Sequence, residues 1–124
     1  MGGGRLTDRL HNKPHIVDTG TSGGWKYEKW SDGKAVVRAK SHATFIVDTM
    51  WGSICACSSN VVKTLPSIFS ETPDEIYGHI KNSIWYTLTG ISMSNPTTLQ
   101  LNCTGPSKQT LETDISLLII GKWK

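Results

Sequence analysis

An all-β chain, folded as an antiparallel β-sandwich of short strands, is what the pattern of these 124 residues predicts. Apolar and polar residues alternate with period two in short stretches, the signature of strands with one buried face. Twelve glycines and five prolines, with short polar residues, punctuate those stretches as turns. From Pro14 onward no long window keeps a helical apolar period, so strand follows strand without a crossover helix, and an antiparallel sandwich or barrel is the expected result.

The elements follow in order. Residues 1–14 form a polar, glycine-containing lead in which Leu6 and Leu10 are the large apolar residues, and residues 15–124 form the folded domain. Residues 15–19 read as a first strand and Gly20-Thr-Ser-Gly-Gly24 as a loop. In residues 25–30, Trp25 and Tyr27 share one face of a strand while Lys26, Glu28 and Trp30 share the other. Ser31-Asp-Gly33 is a tight turn, after which residues 34–40 return antiparallel to complete a hairpin. Residues 43–51 form a β-branched and aromatic strand that Gly52 interrupts, and residues 53–58 and 60–65 continue in extended conformation. Residues 67–74 are a connection. Strands are expected at 75–80 and 84–89 with a turn at 81–83 between them, then at 99–103 and 113–120.

Composition narrows the function. The net charge is +3 and the cations are scattered, so a nucleic-acid partner is not expected. No apolar run approaches the roughly 20 residues of a membrane-spanning helix, and residues 1–5 lack the apolar core of a signal peptide, so we expect a soluble protein without membrane insertion. Cys55, Cys57 and Cys103 cannot all pair internally, and Cys55 and Cys57 lie on one face of a strand without disulfide geometry, which suits synthesis in a reducing compartment.

No catalytic, metal or cofactor signature stands out. There is no G-x-S-x-G elbow, His42 and His79 lie in strand-like runs that suit structural histidines, and the three cysteines lack the C-x₂₋₄-C spacing of a zinc site. The glycine-rich loop at 20–24 leads into a strand instead of a phosphate-binding helix N-terminus. We therefore expect no enzyme, no metal and no cofactor. What remains is an aromatic module rich in Ser, Thr and Asn. Trp51, His79, Trp85 and Tyr86 are the candidate ligand-binding residues, because aromatic faces beside hydrogen-bonding groups can stack on sugar rings and bond their hydroxyls. Trp85 and Tyr86 are adjacent in an expected strand, so they point to opposite faces.

Two stretches carry a resemblance. Thr19-Gly-Thr-Ser-Gly-Gly-Trp-Lys-Tyr-Glu-Lys-Trp-Ser-Asp-Gly33 and the closing Ile119-Ile-Gly-Lys-Trp-Lys124 resemble the C-terminal module of phage and prophage tail-fibre or minor structural proteins. That module shows a G-T-S-G-x-W-x-Y-x-K-W-x-x-G stretch near its start and an I-G-[RK]-W-K tail. The present chain has Val37-Arg-Ala39 where the family commonly has Cys-Trp-Gly. The resemblance implies an H-type-lectin-like β-sandwich that forms a homotrimer in the virion, at a phage tail or fibre tip, after synthesis in the bacterial cytoplasm. Its partners would be other phage virion proteins and host cell-surface glycan. A purely architectural trimerisation or capping domain of a tail, baseplate or head fibre is the alternative. Within this picture Trp25, Tyr27, Trp30, Gly33, Gly121 and Trp123 are structural residues, and Leu6 and Leu10 are expected to contact neighbouring chains.

Overall fold

A computed structural model describes residues 13–73, 75–81 and 85–124. Leu6, Leu10 and most of the expected lead at 1–14 lie outside the described residues, as do Asn82, Ser83 and Ile84. Among the described residues eleven strands follow in chain order: β1 Ile16–Ser22, β2 Trp25–Trp30, β3 Lys34–Trp51, β4 Ile54–Cys57, β5 Val61–Thr64, β6 Glu75–Ile80, β7 Thr87–Leu88, β8 Ser92–Asn95, β9 Thr98–Leu101, β10 Cys103–Gly105 and β11 Gln109–Lys122. All ladders are antiparallel, there is no helix among the described residues, and the fold is the expected all-β sandwich.

The long strands β3 and β11 organise it. They pair from Gln109↔Val47 to Lys122↔Lys34. At one end they are flanked by β2 and β1 on the β3 side and by β6 on the β11 side. At the other end β3 pairs with β4, which continues through β10 to β7, while β5, β9 and β8 form a second, three-stranded sheet. Alternate residues Ala35, Val37, Ala43, Phe45 and Val47 of β3 and Ile115, Leu117 and Ile119 of β11 point inward. They join Trp25, Leu99, Leu101 and the three cysteines in one buried cluster. Trp25 also donates its indole N–H to the Thr64 carbonyl at 3.0 Å, tying the first hairpin to the end of β5.

Several boundaries differ from the sequence expectation. Gly20-Thr-Ser22 belongs to β1, and the turn is only Gly23-Gly24, both with positive φ (57° and 85°) as a two-residue hairpin turn requires. The stretches 34–40 and 43–51 are one strand, because β11 pairs without a break past Ser41 and His42 and supplies Asp114 opposite His42. The expected strand at 84–89 shrinks to Thr87–Leu88: Trp85 lies in a bend and Tyr86 turns inward. Asn102 interrupts the expected strand at 99–103.

The structural aromatics converge where the chain's two signature stretches meet. The Trp123 backbone N–H donates to the Gly33 carbonyl at 2.9 Å, and its indole N–H donates to the Trp30 carbonyl at 2.7 Å. Lys34 Nζ lies 4.5 Å from the centre of the Trp30 ring, and Lys29 and Lys124 approach the Trp123 ring. Tyr27 packs on the core from β2. Gly121 is required by close approach, since a Cβ there would lie 2.8 Å from the Phe69 ring and 2.9 Å from Pro73.

Candidate functional site

The end of β3 is built to expose an aromatic ring. A bulge between Val47 and Thr49 breaks the alternation that buries Phe45 and Val47, and the chain then turns through Gly52 into β4 with Trp51 opposite Ile54. Trp51 is left 70% exposed. Asp48 secures this bulge by accepting hydrogen bonds from the Ser58 hydroxyl (2.8 Å), the Ser58 N–H (2.9 Å) and the Thr49 hydroxyl (3.0 Å). Those bonds, the Ser58 hydroxyl's foremost, hold its carboxyl below the usual range.

Beside Trp51 a groove of about 360 Å³ runs over β4 and β10 toward β7 and β8. Its polar lining comes from Asn60, Thr89, Ser92, Asn102 and Thr104, its apolar lining from Trp51, Ile54 and Ala56, and no charged side chain lines it among the described residues. The volume falls within the range of small-ligand sites. Hydroxyls and amides both donate and accept, so such a lining can match the alternating donors and acceptors of a polyol.

Asn102 holds the groove together. The register of β4 with β10 (Ala56↔Thr104) and of β5 with β9 (Val61↔Leu101) leaves Cys57, Ser58, Ser59 and Asn60 facing only Asn102 and Cys103. The backbone ladder cannot close across that mismatch, and the Asn102 amide closes it instead. Its Oδ1 accepts from the N–H groups of Cys57 (3.1 Å) and Cys103 (2.7 Å), and its Nδ2 donates to the Cys57 carbonyl (2.9 Å) and to Asn60 Oδ1 (2.9 Å). Asn60 Nδ2 in turn donates to Gln100 Oε1 at 3.3 Å.

Beneath the groove all three cysteines are free and buried. Burial pushes the Cys57 thiol up, and it pushes Cys103 up to about 11 with help from the neighbouring Cys57. Both are neutral thiols near neutral pH and are poor nucleophiles.

The four expected ligand residues do not form one group. Trp51 lines the groove just described. His79 faces outward from β6 and lines a separate cavity with Lys40, His42, Lys81 and Asp114. Trp85 is 70% exposed in its bend and lines neither cavity. Tyr86 is a correction: only 6% exposed, it lays its ring on Gly105 and donates its hydroxyl to the Ser107 carbonyl at 2.8 Å, so it cannot offer a face to a ligand. Asn60, Thr89, Ser92, Asn102 and Thr104 were not anticipated. Only Asn102 left a trace in the sequence, as a strand-disfavoured residue between Leu101 and Cys103.

Among the described residues no group of three or more His, Cys, Asp or Glu side chains is placed to hold a metal, and no helix is long and apolar enough to cross a membrane. Comparison with protein families, curated proteins and solved structures finds no match for this chain.

Proposed function

We propose that this chain is a non-enzymatic carbohydrate-binding module, the C-terminal receptor-binding head of a phage tail fibre, which attaches as a homotrimer to host cell-surface glycan. The observation that carries this reading is the exposed Trp51 indole beside an uncharged groove lined by Asn, Ser and Thr side chains. The ring offers an apolar platform for the C–H face of a sugar, and the short polar side chains suit its hydroxyls. The resemblance to the tail-fibre module supplies the virion setting and the partners, other virion proteins. Its two motif stretches are also the ones that pack together at Trp30 and Trp123. Three copies would present three such grooves, raising avidity well above the affinity of one.

A glycan array tests the reading. The full chain should bind at least one neutral oligosaccharide, and Trp51→Ala should weaken that binding by about 10-fold or more, the effect typical of losing a central aromatic anchor. A blank array would sink it. The alternative, an architectural trimerisation or capping domain, draws support from exposed Ile54, in register with Trp51 on the same face, which would equally suit a subunit interface. In that case Trp51→Ala would lower the oligomeric state measured by light scattering and the array would stay blank.

A further inference from the structure

The outer face of the sheet β2–β3–β11–β6 has a chemistry unlike that of the Trp51 groove. Register places Lys26, Arg38, Leu118 and Tyr77 in one row across four strands, and Lys40, Ser116 and His79 in a parallel row two residues along. His42 and Asp114 follow, with Lys81 just beyond β6 and its N–H donating to the Asp114 carbonyl. Two cavities of about 420 and 520 Å³ adjoin along this face, with Lys40 and Ser116 in the lining of both, as a two-part depression.

Charge along this depression is unbalanced. Among the described residues Asp114 is the one carboxylate in the lining of the two cavities, its Oδ1 3.2 Å from His42 Nδ1, against Lys26, Arg38, Lys40 and Lys81. Three more carboxylates stand on the same face outside that lining: Glu28, 3.5 Å from Arg38, and Glu75 and Glu112, which the register places beyond Tyr77 and Asp114. Lys26, Lys40 and Lys81 appear in none of the ion pairs found among the described residues. From Lys26 to Lys81 the face spans three strand spacings and four residues along a strand, about 14 Å in each direction. Cations strung over that distance fit a chain of repeated negative charges better than a single small anion. Tyr77 lies beside the depression, outside the lining of both cavities; 54% exposed and in register with Leu118, it adds an apolar platform of the kind a sugar ring uses.

We propose that this depression binds an anionic polysaccharide, one bearing carboxylate or phosphate groups along its length. Lys26, Lys40 and Lys81 meet the charges, Ser116 and His79 offer hydrogen bonds, and Tyr77 and Leu118 take the apolar ring faces. A nucleic acid is less suited, because single strands are held by successive aromatic platforms and this row presents one. The site goes beyond the uncharged groove and does not depend on it.

The test is a fluorescence-anisotropy titration of the full chain at low salt. Labelled polygalacturonate and polyglycerol phosphate are the two anionic probes, with dextran and an oligothymidylate for comparison. Binding of either anionic probe, weakened at least 10-fold by Lys40→Glu/Lys81→Glu and weakened progressively by added salt, supports the site. Lys40→Arg and Trp51→Ala should each retain the affinity within about twofold, which separates loss of charge from loss of fold and this site from the Trp51 groove. The proposal is overturned if neither anionic probe binds, if the double charge reversal leaves binding unchanged, or if oligothymidylate binds more tightly than both.

Discussion

Replacing Asn102 with Ala should cost this domain far more than an exposed polar substitution ordinarily does. The side chain satisfies three backbone groups that the strand mismatch leaves without ladder partners: the N–H groups of Cys57 and Cys103 and the carbonyl of Cys57. A hydrogen bond contributes about 1 kcal/mol net, and a buried group left unpaired costs about 1–3 kcal/mol. Cys57 and Cys103 are buried, so we expect a loss of about 3 kcal/mol, a large fraction of the ~5–15 kcal/mol that holds a typical domain. In urea, with a slope of about 1.5 kcal/mol/M, the unfolding midpoint should fall by about 2 M. Asn60→Ala is the matched control. It removes one side-chain partner of Asn102 and no backbone bond to that residue, and should cost less than about 1 kcal/mol. If Asn102→Ala costs under about 0.5 kcal/mol, or no more than Asn60→Ala, the amide is not what closes the ladder and the reasoning fails. The same variant should also weaken any ligand held in the Trp51 groove, because the mismatch it stabilises is part of the groove wall.

Two further outcomes test the packing beneath that groove. Gly105→Ala places a methyl group in overlap with the Tyr86 ring, so it should destabilise by about 1–3 kcal/mol and lower Tm by about 5–10 °C in a thermal scan; an unchanged Tm would mean that the ring moves aside freely. Cys103 should make stability fall at alkaline pH. Its folded pKa, about 11, lies above the ordinary 9.0, so its contribution is complete below pH 9 and is lost as pH rises toward 11. Urea midpoints at pH 8 and pH 10.5 should therefore differ less in Cys103→Ala than in the unaltered chain, and equal differences would refute the assignment.

Turns and strand faces were legible in the sequence because they are written locally. Trp25 and Tyr27 share the inward pleat that period-two alternation gives them on one face of β2, and Ser31-Asp-Gly33 closes the hairpin expected of it. Continuity was not legible. Ser41 and His42 look like a break between two strands until Asp114 and Ile115 are seen to pair across from them. Tyr86 was misjudged for a related reason: its neighbour Trp85 does face solvent, but whether Tyr86 meets solvent or core depends on Gly105, which comes from another strand.

The amino-acid sequence alone determined the fold class, the shared face of Trp25 and Tyr27 and the turn at Ser31-Asp-Gly33, since pleat and turn geometry depend on residues a few positions apart. Tertiary structure alone decided which side chains share a surface. Trp51 joins Asn60, Thr89, Ser92, Asn102 and Thr104 because β4, β10 and β7 are laid side by side, while His79 is carried to a cationic face by its pairing with Ser116. Each strand exposes half its length to a partner it does not specify. Register, bulges and the Asn102 closure make that choice through hydrogen bonds between residues as much as 93 positions apart, as at Trp30 and Trp123.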